Sequence, residues 1–224
     1  MDVFYFPKYR HKRTQNPRKF KKYQTYKKFL QIEFERVCVY CRQPDTSAPN
    51  LNFGVDHYRP KSKFPDLSCV YENLYYCCGT CNTYKSNYWP LIESSSRYIV
   101  NPCDFNMSEH LVFDKSSGVV NHKTDSGKFM VEALGLNTPD VVGYRLNTLM
   151  IVGRFRSELA TAQAQRSRLQ TAMRNGKLSE DVFRERIGMV ENRIADVRRL
   201  LDDQTGTKPV PAIPQARLGV SLRA

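Results

Sequence analysis

The chain has 224 residues, of which 41% are hydrophobic and 25% are charged, and this composition is typical of globular rather than disordered proteins. Lysine and arginine outnumber the acids by 35 to 22, so the net charge is +13. A surface this basic favours phosphate backbones or anionic lipid as partners, with a merely soluble basic protein as the alternative. No apolar run of about 18 residues occurs, which excludes a membrane-spanning helix. Charge interrupts the first residues too early for a signal peptide, so we expect a cytoplasmic protein.

Residues 1–37 form a basic N-terminal segment, with eleven lysines and arginines against three acids. Asn16 and Pro17 are favourable residues for a helix start, and apolar residues follow at roughly helical spacing. We therefore predict a basic amphipathic helix at about 17–36, packed on the next unit through its apolar stripe. Its opposite face, with Lys19, Lys22 and Lys28, would lie along phosphates, or would simply be a solvated surface.

Residues 38–89 contain two Cys-x-x-Cys pairs, formed by Cys38, Cys41, Cys78 and Cys81. Two such turns supply the four thiolates that a structural Zn²⁺ prefers, and the ion would stabilise a segment with little apolar periodicity of its own. Cys77 could replace Cys78 as a ligand, but only Cys78 has the two-residue spacing to Cys81.

Between the two cysteine pairs, a carboxylate and an imidazole are adjacent, at Asp56 and His57. A bend there would let one of them bind a metal while the other faces a water molecule. Asn82 follows the last cysteine and Lys85 lies about one helical turn further on, so an oxygen ligand and a cation would share a helix face. Lys61 would add positive charge along the chain that follows His57.

Residues 90–137 predict a β-hairpin through 111–113 and 119–120, followed by a short helix over 126–134 that stops at Gly135. His110 and His122 have no ligand-like neighbours and are interpreted as structural or surface residues. The remaining thiols, Cys69, Cys77 and Cys103, are interpreted as small buried apolar groups.

Residues 138–203 predict two long helices joined by a short turn. Thr138-Pro139 begins the first helix, Asn175-Gly176 ends it, and Ser179 caps the second. Packing of the two helices on each other accounts for their apolar stripes, with a homo-oligomer or accessory-subunit surface as the alternative. Residues 204–224 are predicted to be a flexible tail.

The central motifs resemble those of the HNH endonuclease family. The resemblance rests on Cys38-x-x-Cys41, Asp56-His57, Asn73-Leu74 and Cys78-x-x-Cys81-Asn82-x-x-Lys85. It implies an α+β protein with a zinc-stapled ββα-metal core, flanked by the N-terminal basic helix and the C-terminal helical hairpin. It also implies that His57 is the general base and that Asn73 holds the loop that orients it.

By the same resemblance, Asp56 and Asn82 are the ligands of a catalytic divalent ion. The family often has histidine at the position of Asn82, and an asparagine oxygen is suited to a hard ion such as Mg²⁺ or Mn²⁺. The expected reaction is hydrolysis of phosphodiester bonds in double-stranded DNA. Arg59, Lys61 and Lys85 are then candidates for contacts with the substrate phosphates.

A second resemblance covers about residues 30–150 and includes Asn101-Pro102-Cys103-Asp104, Thr124-x-x-Gly127 and Leu134-Gly135-Leu136-Asn137 before Arg145. This order is similar to the HNH nuclease subunits of bacterial anti-phage systems of the Septu and retron-linked kind. It implies an ATPase partner that controls the nuclease, with the helical hairpin as a docking surface. The alternative is a catalytically inactive, zinc-stapled nucleic-acid-binding or scaffold subunit.

Overall fold

The computed structural model describes residues 3–45, 52–91 and 97–206, and within these ranges the protein is α+β. The described ranges contain two small antiparallel sheets and six α-helices, together with 3₁₀ turns at Tyr23–Tyr26, Pro65–Leu67 and Tyr71–Asn73. The strands are β1 (Phe53–His57), β2 (Leu74–Cys78), β3 (Leu111–Phe113) and β4 (Val120–His122). The helices are α1 (Lys27–Glu33), α2 (Gly79–Lys85), α3 (Met107–His110), α4 (Asp125–Ala133), α5 (Pro139–Arg174) and α6 (Glu180–Thr205).

The N-terminal helix is much shorter than the predicted span of 17–36. Residues 11–20 are not helical, and the backbone enters a helix only at the 3₁₀ turn before α1. The preceding arm is held against α1 because the amides of Thr14 and Gln15 donate to the Glu33 carboxylate. The helix ends early because Glu35 and Arg36 adopt left-handed conformations, with φ of 53° and 60°.

β1 and β2 pair in antiparallel register, with Asp56 opposite Tyr75 and His57 opposite Leu74. Every residue of β2 is buried, and α2 begins directly after it and packs against both strands. Two strands followed by a helix is the order that a ββα unit requires, although membership of the HNH family stays a prediction.

The main apolar core surrounds this sheet. It includes Leu30 and Phe34 from the α1 region, the buried tyrosines of β2, and Met130 and Leu134 from the α4 region. Stacked rings such as Phe34 on Tyr75, with centroids 5.4 Å apart, fill the space between α1 and β2. The sheet and the cysteine-rich turns therefore share a single core with the α4 region.

The β3–β4 hairpin and α4 lie close to their predicted positions. The Thr124 hydroxyl caps α4 by accepting from the Gly127 amide at 3.0 Å. The helix stops before Gly135, whose φ of 58° is left-handed as predicted for a glycine stop.

The two long C-terminal helices, α5 and α6, were also predicted. Gly176 has a φ of 66° in the turn between them, and Glu158 pairs with Arg193 across the hairpin at 3.0 Å. The base of α5 is fixed to the core by Arg145, which is fully buried and donates to the carbonyls of Gly118 and Leu136 at 3.1 and 2.7 Å.

The predicted tail falls largely on 207–224, outside the described residues. Of the helices in the described ranges, none combines the length and the apolar character that crossing a bilayer demands.

Candidate functional site

The four predicted cysteine ligands converge on one point. The Sγ atoms of Cys38, Cys41, Cys78 and Cys81 all lie within 4.8 Å of one another, and all four residues are buried. The Cys41 and Cys78 sulfurs are 3.7 Å apart. In a tetrahedron with Zn–S bonds of about 2.3 Å, the sulfurs are about 3.8 Å apart. The cluster can therefore hold a structural metal ion such as zinc.

Two turns shape the cluster. The first is a tight loop closed by the bridge between Val37 and Pro44, in which the Cys38 amide donates to the Gln43 carbonyl at 2.8 Å. The second is the junction of β2 with α2, where the Cys81 amide points at the Cys78 sulfur at 3.5 Å. A metal ion at this point would join the N-terminal loop to the sheet and to α2.

Cys77 lies beside the cluster but is not one of its four converging ligands. Its sulfur is 3.9 Å from that of Cys38 and donates to the Cys78 carbonyl. Burial raises the pKa of the Cys77 thiol well above its ordinary value, so this thiol stays protonated. The geometry favours Cys78 as the ligand, in agreement with the spacing.

Asp56 is buried at the heart of the ββα unit. One carboxylate oxygen accepts from the Tyr40 hydroxyl at 2.6 Å, and the other accepts from the Lys85 ammonium at 3.0 Å. The ammonium also donates to the backbone carbonyl of His57 at 2.7 Å. The phosphate contact predicted for Lys85 would require its ammonium to leave this buried pair.

His57 ends β1, and its ring is held from two sides. Nε2 lies 3.0 Å from the Ser68 carbonyl, and the Tyr23 ring packs edge-on with its centroid 4.6 Å away. A carbonyl can only accept, so Nε2 carries the proton and the neutral ring keeps its lone pair on Nδ1. Among the described residues, Nδ1 has no hydrogen-bond partner, so it is free to accept a proton.

The charge state of His57 follows from its surroundings. Burial lowers its pKa below the ordinary value of 6.5, and the positive charges of Lys61 and Lys85 act in the same direction. The Ser68 carbonyl and Asp56 oppose this shift without cancelling it. The imidazole is therefore predominantly neutral at pH 7, as a general base must be.

Asn73 fixes the chain that follows His57. Its side-chain oxygen accepts from the Arg59 amide at 2.8 Å, and its nitrogen donates to the Arg59 carbonyl at 3.0 Å. The paired strand positions and this two-point contact hold residues 57–59 in one conformation. That Asn73 orients the catalytic histidine stays a prediction.

Asn82 lies in α2, one turn before Lys85, and is half-buried. Its side chain makes no hydrogen bond within the described part of the chain. Each oxygen of Asp56 accepts one hydrogen bond and retains a further acceptor position. Their role as ligands of a catalytic ion stays a prediction, and the oxygen atoms that they carry are of the kind that a hard divalent ion prefers.

Arg59 and Lys61 are exposed beyond His57. The Arg59 guanidinium lies 5.3 Å from the Trp89 ring centroid, and the Lys61 ammonium lies 5.1 Å from that of Tyr23. Both cations are therefore near the candidate site and open to solvent, where a phosphate could reach them.

Sequence reasoning missed two groups that the site uses. Tyr40 lies inside the first Cys-x-x-Cys pair, and nothing in its local sequence indicates a bond to Asp56. Ser68 contributes a backbone carbonyl, which has no sequence signal of its own. Both contacts depend on how distant segments fold together.

Comparison with family models, curated proteins and solved structures returned no match to this chain.

Proposed function

We propose that the protein is a metal-dependent endonuclease of the HNH type that hydrolyses phosphodiester bonds in DNA. The observation that carries the proposal is the orientation of His57, whose Nε2 faces the Ser68 carbonyl and leaves Nδ1 free to act as the base. The strand–strand–helix unit and the four-cysteine cluster, with zinc as the proposed ion, support it because they hold these residues rigidly.

In the proposed reaction, His57 Nδ1 takes a proton from a water molecule while the water oxygen attacks phosphorus. The bond from phosphorus to the 3′ oxygen breaks, and the departing oxygen takes a proton from solvent. A Mg²⁺ or Mn²⁺ ion bound by Asp56 and Asn82 would supply charge neutralisation at the phosphate and the leaving oxygen. Tyr40 fixes the Asp56 carboxylate, and Arg59 and Lys61 attract the substrate backbone.

A plasmid-cleavage assay with purified protein and added Mg²⁺ or Mn²⁺ tests the proposal. His57→Ala should lower the cleavage rate by about a hundredfold or more, with DNA affinity and zinc content unchanged. His122→Ala, which removes an exposed histidine on β4, is the matched control and should cleave normally. Cleavage by His57→Ala at the wild-type rate would rule out the assigned base.

The alternative is a zinc-stapled nucleic-acid-binding or scaffold subunit with no activity. It requires the cysteines and the basic surface but not Asp56, His57 or Asn82. Wild-type protein that binds DNA tightly and cleaves none with either ion would favour this alternative.

Control by an ATPase subunit is the second part of the proposal. The helical hairpin is the proposed docking element, and it carries two exposed methionines, Met150 on α5 (52% exposed) and Met189 on α6 (64% exposed). Co-purification with an ATPase encoded beside it, lost on Met189→Glu, is the expected result. An unchanged yield of the complex with Met189→Glu would exclude this surface.

A further inference from the structure

A cavity of about 300 Å³ lies beside the candidate site, and aromatic rings dominate its walls. Its volume is at the lower end of the range for small-ligand pockets, which suits an occupant the size of one ring system. The rings belong to Tyr58, Tyr88, Trp89, Tyr98 and Phe105.

Several of these rings are held in place by their neighbours. The Tyr58 hydroxyl donates to the Ile99 carbonyl at 2.7 Å. The Trp89 ring packs edge-on against Tyr58 and Phe64, with centroids 5.6 and 5.3 Å away. Phe105 is 39% exposed at the cavity. A flat ligand would therefore meet largely preformed walls, and little ordering would be needed on binding.

Besides Lys85, whose ammonium is paired with Asp56, two charged side chains belong to the lining. The guanidinium of Arg59 lies over the Trp89 ring. Asp104 accepts from the Asn101 amide through Oδ2 at 2.7 Å, which leaves Oδ1 available for an amino group. Aromatic walls with one cation and one free acceptor match a nucleobase attached to a phosphate backbone.

The cavity is joined directly to the proposed catalytic residues. Lys85 lines it and donates to Asp56 and to the His57 carbonyl. Tyr58 and Arg59 follow His57 in the chain, and Asn73 clamps the Arg59 backbone. The cavity and His57 are thus connected through Lys85 and through the two residues that follow His57 in the chain.

We propose that this cavity binds one unstacked base of the DNA strand, next to the scissile phosphate. The proposal rests on the proposed nuclease function and refines its substrate, because a base within an intact duplex must leave its stack to enter the cavity. The preferred substrate is DNA with an unpaired base at the cut: a single strand, a loop or a mismatch. This differs from the double-stranded DNA that the sequence predicts.

Trp89 is the only tryptophan of the chain, so its fluorescence reports on the cavity without any need for cleavage. The full-length protein, with no divalent ion added, is titrated with oligothymidylate and with an abasic deoxyribose-phosphate oligomer of the same length. Oligothymidylate should quench Trp89 and bind roughly tenfold more tightly than the abasic oligomer. Equal quenching and equal affinity for the two would overturn the proposal.

A pair of variants separates base binding from backbone binding. Tyr98→Ala should weaken oligothymidylate binding by roughly tenfold while leaving the affinity for the abasic oligomer unchanged. Tyr9→Ala, which removes an aromatic ring 58% exposed outside the cavity, should change neither affinity. If folded Tyr98→Ala protein loses affinity for both oligomers, the proposed base pocket is also overturned.

The two proposals fail separately. Base-dependent quenching without cleavage in Mg²⁺ or Mn²⁺ would support the pocket and overturn the nuclease. Cleavage by His57 without base-dependent quenching would overturn the pocket alone.

Discussion

The ammonium of Lys85 lies 3.0 Å from Asp56 Oδ1, and both side chains are almost completely buried. This ion pair joins the C-terminal end of α2 to β1, and the same ammonium holds the His57 backbone carbonyl. Lys85 therefore fixes the position of the two residues on which the proposed chemistry depends.

Replacing Lys85 by Met should lower the free energy of unfolding by about 3–5 kcal/mol, because the Asp56 charge would remain buried without its partner. Chemical denaturation followed by circular dichroism measures this. Lys177→Met, at the exposed tip of the helical hairpin, is the control and should change stability by less than about 0.5 kcal/mol. Adding Asp56→Asn to Lys85→Met should recover part of the lost stability. If Lys85→Met alone is as stable as wild type, the stabilising role assigned to the buried ion pair is contradicted.

Cys78→Ser should abolish zinc binding and unfold the ββα unit, since the ion contributes directly to folding. The neighbouring substitution, Cys77→Ala, should retain the full zinc content because the Cys77 sulfur lies outside the four-ligand set. Metal analysis of the purified variants, together with their thermal melting curves, measures both effects. Zinc lost from Cys77→Ala and kept by Cys78→Ser would reverse the ligand assignment.

Glu33 should make the attachment of the N-terminal arm dependent on pH. Burial opposes ionisation of Glu33. Hydrogen bonds from Thr14, Gln15, His11 and Tyr71 outweigh this effect and hold its pKa below the ordinary value of 4.5. Burial also lowers the pKa of His11, so its ring donates to Glu33 as a neutral group at pH 7.

Because the folded-state pKa of Glu33 is depressed, its stabilisation is fully present above the unfolded pKa and is lost as the pH falls through the folded value. Glu33→Gln should therefore lower the free energy of unfolding by about 2 kcal/mol at pH 7. This gap in stability between the variant and wild type should narrow below about pH 4.5. Urea unfolding of both proteins at pH 7, 5 and 3.5 measures this gap. If the difference in stability instead widens as the pH falls, the depressed pKa of Glu33 is contradicted.

Two glycines give opposite predictions for the same substitution. A Cβ at Gly127 would lie 2.1 Å from the His110 carbonyl oxygen, so Gly127→Ala must displace backbone and should cost about 3 kcal/mol. A Cβ at Gly153 meets nothing within 4 Å in the middle of α5, so Gly153→Ala should stabilise by about 0.5–1 kcal/mol. Thermal unfolding of the two variants compares them directly, and equal melting temperatures would contradict both expectations.

The sequence alone determined the elements that depend on neighbouring residues. The start of α5 follows from Pro139 and the turn that ends it from Gly176, whose backbone preferences act locally, whereas Ser179 occupies the N-cap of α6 without the predicted side-chain capping bond. The four-cysteine cluster was also predictable, because two residues between thiols is the geometry of a single turn around a metal.

Only the tertiary structure decided the contacts between distant segments. Glu33 accepts hydrogen bonds from the backbone of residues 14 and 15, and this contact holds the non-helical arm that precedes α1 against that helix. Lys85 turns inward to Asp56 instead of outward to solvent, and the Ser68 carbonyl selects the tautomer of His57. Each of these depends on the packing of residues 11 or more positions apart, and periodicity and spacing carry no information about such contacts.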